Sequence, residues 1–219
     1  MTALAHEAPC GVDSEPTDQG ALRPDLDEVL WRAWEAMKLP EGYHAEIVEG
    51  FIEVSPTGCH NHARTSNRLR EELLLYLREQ SSDYTVCNDM NVLHGRKVFI
   101  PDGLVAPRDD DEFLTDNGLG IDARGVPLVM EIVSPGHDST TRDRVRKRRA
   151  YARAGIPVYV LVDAHNDGGT VTVFTSPVPD KADYRAEARV PYGTDVTIPE
   201  GPAKGFVIGE AITGPPRSG

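Results

Sequence analysis

The sequence predicts an α/β domain in which helices flank a central mixed β-sheet. The main observation is a strand, a helix and a second strand in succession between Pro127 and Asp163. Both strands are almost continuous apolar runs, which is typical of strands buried on both faces, and their short connection favours a right-handed parallel crossover. Hairpin patterns on either side of this unit predict antiparallel neighbours. The sheet is therefore expected to be mixed.

Periodicity predicts the other elements. Apolar residues at three- and four-residue steps indicate helices, and apolar runs or alternation beside glycine turns indicate hairpins. In chain order we expect a short helix from residue 25, a hairpin over 45–54, a long helix over 60–79, a hairpin of strands 84–93 and 97–106, an acidic loop over 108–124, the crossover with its helix ending at 154, and a hairpin of 170–175 with 184–190. Composition adds a flexible N-terminal arm over 1–24 and a C-terminal tail over 200–219, so that the domain spans 25–199.

Composition also bounds the class of protein. A chain of 219 residues is long enough for one domain with its own core. Its three cysteines have no paired spacing, which argues against a disulfide framework and a zinc site. No apolar run approaches the roughly 18 residues of a membrane span, and the first residues lack a signal-peptide pattern. We expect a soluble cytoplasmic protein without a membrane partner.

Two acidic residues stand among apolar neighbours. Asp102 follows the run Val98-Phe99-Ile100-Pro101, and Glu131 lies inside the apolar run 128–133. A lone buried carboxylate is costly unless it is paired or bound to a metal. Two carboxylates from adjacent strands suit the oxygen coordination of Mg²⁺ and its use with phosphate substrates. The alternative, in which each acid points to solvent at a strand end, is equally compatible with the pattern.

The helix after Glu131 supplies a candidate base. Lys147 lies where the helix returns past the strand end, and Asp143, four residues earlier on the same face, could orient it. The same stretch is crowded with arginines, so Lys147 could instead be one more solvated base. Arg142, Arg144 and Arg146 are candidates for contacts with a DNA backbone.

Several segments resemble a known family. The sequence Pro101-Asp102 followed by Glu131 is similar to the Pro-Asp…(Asp/Glu)-x-Lys signature of the restriction-endonuclease-like superfamily, although Val133 occupies the lysine position. Further segments resemble the Uma-two family of predicted endonucleases in order along the chain, over roughly residues 26–190: 43–50, 54–57, 62–69, 131–135, 143–147, 151–157 and 159–163.

The resemblance implies a restriction-endonuclease-like core with Glu46, Asp102, Glu131 and Lys147 at its active-site positions. In that family the lysine lies on the helix, so Val133 departs from the superfamily signature and not from the family's. Glu46 could equally be the outward residue of the first hairpin. His62 could contact a substrate phosphate or a metal-bound water, or could face solvent at the start of its helix.

These observations predict an endonuclease that hydrolyses DNA with Mg²⁺, or with Mn²⁺ in its place, held by Asp102 and Glu131. A homodimer would suit cleavage of both strands. The net charge of −12 opposes a DNA substrate, although a local basic cluster can still steer one. The alternative is a catalytically weak or inactive protein of the same fold that binds DNA or a protein. A small-molecule phosphohydrolase is less favoured because the chain has no glycine-rich phosphate loop.

Overall fold

The structure, a computed structural model, describes residues 25–56, 58–116 and 118–216. Its helices begin with α1 (Leu26–Glu35) and α2 (His60–Glu79). One continuous helix follows, made of α3 (His137–Thr141), a π-helical segment (Arg142–Lys147) and α4 (Arg148–Arg153), and a short α5 (Glu210–Thr213) comes last. Single 3₁₀ turns lie at Asp111–Phe113, Ala123–Gly125 and Pro179–Lys181.

Two mixed β-sheets form the framework. The first contains β1 (Tyr43–Val48), β2 (Phe51–Pro56), β4 (Val92–His94), β5 (Lys97–Phe99) and β7 (Ile121–Asp122). The second contains β3 (Tyr84–Cys87), β6 (Gly103–Pro107), β8 (Leu128–Ile132), β9 (Val158–Asp163), β10 (Thr170–Val178) and β11 (Asp183–Pro191). A small ladder joins β12 (Val196–Thr197) to β13 (Val207–Ile208).

The strand order confirms the predicted α/β class with mixed sheets flanked by helices. The first sheet runs β2-β1-β5-β4-β7 and the second β11-β10-β9-β8-β6-β3. Strands β8 and β9 are parallel and are joined by the α3–α4 helix, as the crossover pattern predicts. The other pairs in the second sheet are antiparallel. Glu131 on β8 therefore lies in the interior of the larger sheet.

The predicted hairpin of residues 84–106 is divided between the two sheets. Only β4 and β5 pair as a hairpin, whereas β3 pairs with β6 in the other sheet. The chain leaves strand geometry at Asp89, whose φ of 52° is left-handed, and again at 100–102. The prediction that Asp102 lies in a strand is therefore wrong: it lies in the break between β5 and β6.

Two apolar clusters form the core. One lies between α2 and the second sheet and includes Leu69, Leu73 and Leu77 of the helix. The other joins the first sheet to the α3–α4 helix and contains Phe99, Tyr151 and Val133. Val133 occupies the lysine position of the superfamily signature. Its side chain is buried in this apolar cluster.

The segment predicted as a C-terminal tail contributes to the core as far as Thr213. It includes β13 and α5, and it adds Ala203, Phe206, Ile208 and Ile212 to the cluster around α2. The prediction overlooked these apolar residues because glycine and proline separate them. The predicted N-terminal arm, residues 1–24, lies outside the described residues. Within the described residues no helix has both the length and the apolar character needed to cross a membrane.

Candidate active site

The centre of the site is a buried lysine held between two carboxylates. Lys147 Nζ lies 2.9 Å from Glu131 Oε1 and 3.0 Å from Glu46 Oε1. Glu131 and Lys147 are each 2% exposed and Glu46 is 3% exposed. The acids come from different sheets, Glu46 from β1 and Glu131 from β8, and the lysine comes from the π-helical segment. One ammonium group thus contacts carboxylates of both sheets.

Backbone and hydroxyl groups fix this cluster. The Ile100 amide donates to Glu46 Oε1 over 2.6 Å, and the Ile100 carbonyl accepts from Lys147 Nζ over 3.3 Å. The Tyr151 hydroxyl donates to Glu131 Oε1. Since Ile100 lies in the break between β5 and β6, this irregular segment positions both the lysine and its partner Glu46.

Asp102 lies beside this cluster and has a partner of its own. Its Oδ2 accepts a hydrogen bond of 2.7 Å from the Ile132 amide, next to Glu131 in the chain, and lies 3.0 Å from His62 Nε2. Glu46, Asp102, Glu131 and Lys147 line one cavity of about 190 Å³ together with residues of α2. The structure therefore brings all four predicted catalytic residues together, and His62 with them.

The charges in the cavity are set by burial and by these contacts. Burial raises the pKa of Glu131 well above its ordinary value, and the charge of Lys147 opposes this shift. Burial alone would lower the pKa of Lys147, but the negative charges of Glu131, Glu46 and Asp143 raise it by a larger amount. The pKa therefore lies above its ordinary value, and the lysine stays charged.

Asp102 and His62 shift one another in favour of their charged forms. Burial raises the pKa of Asp102, but the hydrogen bond to His62 and nearby charges outweigh it, and the pKa lies below its ordinary value. Burial lowers the pKa of His62, whereas the contact with Asp102 raises it more strongly, so the pKa of this imidazole lies above its ordinary value.

Asp143 does not contact Lys147 by a direct hydrogen bond in the way the sequence suggests. Its carboxylate accepts from Arg142 Nε over 2.8 Å, and it is fully buried. Its charge still contributes to the raised pKa of Lys147. Asp143 and Arg142 therefore form a supporting pair beside the cluster.

The arginines predicted to contact a DNA backbone are paired within the chain. Arg142 binds Asp143, Arg144 binds Asp163 over 2.6 Å, and Arg146 binds Glu53 over 2.5 Å. Of these, only Arg142 also lines the cavity. The structure thus separates Arg144 and Arg146 from the predicted catalytic residues.

A divalent cation is compatible with the donor set. In the described part of the chain, no three His, Cys, Asp or Glu side chains form a metal-binding group. Mg²⁺ commonly uses one or two carboxylates and takes its other ligands from water and substrate phosphate. The contacts above engage only Oδ2 of Asp102 and Oε1 of Glu131. The second oxygen of each carboxylate could therefore bind the cation, so the two residues fit Mg²⁺ or Mn²⁺.

Two residues of the site were missed from the sequence. Tyr151 binds Glu131 directly, and Tyr159 donates a hydrogen bond of 2.8 Å to the Asp143 carbonyl inside the π-helical segment. Both lie in segments that resemble the family, but the sequence alone assigns neither of them a role. The spacing of Tyr151, four residues after Lys147, was the available signal, because residues four apart share a helix face.

Comparisons with known proteins bear on the family and the fold. The model of the family Uma2, described as "putative restriction endonuclease", matches residues 31–208. A solved structure titled as a putative nuclease belonging to DUF820, from Anabaena variabilis ATCC 29413, is similar to the chain with a TM-score of 0.57. The two chains are 18% identical, and the match covers 80% of this chain and 88% of that one. At this identity the likeness shows the fold. The comparison with curated proteins finds no match.

Proposed function

The chain belongs to the Uma2 family of putative restriction endonucleases, which supports a nuclease function, and on this premise we propose that it hydrolyses DNA phosphodiester bonds with Mg²⁺. The observation that carries the proposal is the buried Lys147 ammonium between Glu131 and Glu46, in the cavity that also contains Asp102. A charged lysine beside two carboxylates with unused oxygens suits a reaction in which negative charge develops on phosphate.

Each residue has a separate task in this proposal. Asp102 and Glu131 hold the cation, and Mn²⁺ can replace Mg²⁺. When bound, the cation lowers the pKa of a water molecule and polarises the phosphoryl oxygen. Lys147 donates to the attacking water and to the charge that develops on the phosphate. Glu46 positions the ammonium and keeps it charged.

The remaining residues hold these groups in place. Tyr151 fixes the carboxylate of Glu131, and the Ile132 amide and His62 both contact Oδ2 of Asp102 and fix that carboxylate. Because these donors are in place before substrate arrives, little reorganisation is needed during the reaction. Cleavage of both strands would require two such sites, as in a homodimer.

The test is plasmid cleavage with Mg²⁺ or Mn²⁺ by the unaltered protein and by Asp102→Asn, Glu131→Gln and Lys147→Met. We expect cleavage by the unaltered protein, loss in all three variants, and no cleavage with EDTA. Asp109→Asn is the matched control, since Asp109 is an exposed acid of the loop after β6. Equal cleavage by the unaltered protein and the three variants contradicts the assignment.

A second candidate is a protein of the same fold that binds DNA without cutting it. It is favoured by the lack of a three-ligand metal group among the described residues. Calorimetric titration with Mn²⁺ separates the two: binding that is lost in Asp102→Asn supports catalysis. A mobility shift of DNA without Mn²⁺ binding or cleavage supports the second candidate.

A further inference from the structure

The basic side chains of the helix over residues 142–153 are paired with acidic side chains of the protein itself. Residues 142–153 contain seven basic side chains, and each forms an ion pair with an acidic side chain of this chain. The partners are Asp143 for Arg142, Asp163 for Arg144, Glu53 for Arg146, Glu46 and Glu131 for Lys147, Asp183 for Arg148, and Glu49 for Arg149 and Arg153. A phosphate would have to displace these carboxylates, so this surface offers little net attraction.

The first half of α2 differs in its charge. Residues 60–70 contain three arginines and two histidines but no acidic residue. In the described ranges no ion pair involves Arg64, Arg68 or Arg70. Arg64 is exposed, and the other two are half-buried. In a chain with a net charge of −12, this half-helix is a local source of uncompensated positive charge.

This half of α2 borders the candidate active site. His62 contacts Asp102, Ser66 lies 3.5 Å from the Asp102 carbonyl, and Arg70 lines the same cavity. Arg70 comes eight residues after His62, which corresponds to about 12 Å along a helix axis. Basic and polar side chains on one face of α2 therefore line this cavity.

Arg70 is only partly satisfied by the protein. One terminal nitrogen donates to Asn67 Oδ1 over 3.2 Å, and its buried Nε has no hydrogen-bond acceptor among the described residues. Arg144, Arg146 and Arg148 also have such a nitrogen, but their guanidinium groups are already in ion pairs. Arg70 can therefore take a phosphate oxygen without giving up a carboxylate.

Arg64 and Arg68 line a neighbouring cavity. It also contains Asn61 and Thr65, whose side chains can donate to phosphate, and α5 contributes Glu210. Glu210 is the one acid in this lining, and it forms no ion pair with either arginine within the described residues. The net charge of this surface stays positive.

We propose that the first half of α2, through Arg64, Arg68 and Arg70, is the surface that binds the phosphate backbone of the DNA, and that the basic helix over 142–153 is not. The proposal rests on the proposed nuclease function and names the surface by which the substrate reaches that site. Arg70 binds a phosphate beside the scissile one, and Arg64 and Arg68 bind phosphates farther along the strand.

The test is the salt dependence of DNA binding, measured by fluorescence anisotropy of a short labelled duplex with Ca²⁺ in place of Mg²⁺. For duplex DNA, each phosphate contact contributes about 0.9 to the slope of log K against log salt. We expect Arg64→Gln/Arg68→Gln to reduce the slope by about 1.8 and Arg70→Gln to reduce it by about 0.9. Arg144→Gln/Arg146→Gln, with the same change in net charge, should leave the slope unaltered.

Circular dichroism melting checks the fold of each variant. If Arg144→Gln/Arg146→Gln fails to fold, Arg149→Gln/Arg153→Gln makes the same charge change at more exposed positions. An unchanged slope in the α2 variants, a reduced slope in the 142–153 variants, or no DNA binding by the unaltered protein overturns the proposal. Failure of the nuclease function is seen separately, as binding without cleavage in Mg²⁺.

Discussion

Lys147 forms ion pairs with two carboxylates through a single ammonium group. Its buried contacts with Glu131 and Glu46 are 2.9 Å and 3.0 Å long, and a longer contact of 3.3 Å joins it to the Ile100 carbonyl. Removing one member of a buried ionic group leaves its partners charged without compensation, which costs more than the intact group contributes. The residue is therefore important for stability as well as for the proposed chemistry.

We predict that Lys147→Met lowers the free energy of unfolding by about 3–5 kcal/mol. In the cleavage assay the rate should fall by about 10²–10³, the usual effect of removing one donor to a developing charge. Urea unfolding and Mg²⁺-dependent cleavage measure the two effects. A stability like that of the unaltered protein contradicts the buried ionic group.

Glu131→Gln/Lys147→Met separates the two roles of the lysine. Glu131→Gln removes one of the negative charges that Lys147→Met leaves without a partner. We therefore expect the double variant to recover part of the stability lost in Lys147→Met. Cleavage should not recover, since a metal ligand and the donor are both absent. Recovery of cleavage without recovery of stability contradicts this division of roles.

The sequence predicted which acidic and basic residues lie together at the site better than it predicted their partners. Glu131 and Asp102 were recognisable because acids interrupt apolar runs, and Lys147 through its family pattern. The ion pairs of Arg144 and Arg146 were not predictable, because their acids, Asp163 and Glu53, lie on strands distant in the sequence. The sequence shows which residues of a helix are charged, but the tertiary contacts decide which of them form ion pairs.

The π-helical segment is the element that carries Lys147 to the site. Such segments are rare and often lie at functional sites. Here the Tyr159 hydroxyl of β9 donates to the Asp143 carbonyl within the segment. The segment is thus tied to the second sheet, which holds Glu131 on the adjacent strand β8.

The contribution of this hydrogen bond between Tyr159 and Asp143 to stability should be measurable. We predict that Tyr159→Phe lowers the free energy of unfolding by about 1–2 kcal/mol, since a buried carbonyl loses its donor. Thermal unfolding is the measurement. Tyr43→Phe is the control, because Tyr43 is exposed, and it should have little effect. Equal effects of the two changes contradict a role for the hydroxyl.

The C-terminal segment shows how sequence patterns can hide an element. Phe206 is 5% exposed and its ring centroid lies 5.5 Å from that of Tyr76 on α2, whereas Val207 is 44% exposed. Glycine and proline around them interrupt the alternation that identifies a strand. The same limitation applies to residues 84–106, where alternation predicts strands but cannot show that they join different sheets.

We predict that Phe206→Ala lowers the free energy of unfolding by about 3–5 kcal/mol, the usual cost of truncating a buried phenylalanine. Val207→Ala, the neighbouring control, should change it by less than about 0.5 kcal/mol. Urea unfolding of both variants gives the comparison. A small effect at both positions would indicate that the segment is a tail after all.

At the scale of the whole molecule, a layer of buried tyrosines limits stability in alkali. Tyr151, Tyr159 and Tyr184 donate to Glu131, to the Asp143 carbonyl and to the Ile156 carbonyl. Burial raises the pKa of each hydroxyl above its ordinary value. The native protein therefore keeps these protons at a pH at which the unfolded chain loses them.

The sign of the pH dependence follows from this difference. The contribution of the protonated tyrosines to the free energy of unfolding is complete below the pKa of about 10 that tyrosine has in the unfolded chain. It is lost as pH rises above this value, at about 1.4 kcal/mol per tyrosine and pH unit. Lys147, whose pKa is also raised, adds a slope of the same sign. We expect the absorbance of these tyrosinates to appear together with unfolding.

Absorbance at alkaline pH and circular dichroism follow the two processes in parallel. Tyr184→Phe should reduce the slope of stability against pH by about 1.4 kcal/mol per unit, even though the variant starts from a lower stability. Ionisation of all three tyrosines near pH 10 with the fold intact is the result that this account does not permit.

The break between β5 and β6 has a consequence for motion. It is one of the places where the chain passes from one sheet to the other, and the hydrogen bonds of Ile100 and Lys147 join Glu46 of the first sheet to Glu131 of the second. Any rotation of one sheet against the other must stretch these bonds. Contacts that hold the two sheets together elsewhere in the molecule therefore also set the distance between Glu46 and Glu131 in the candidate active site.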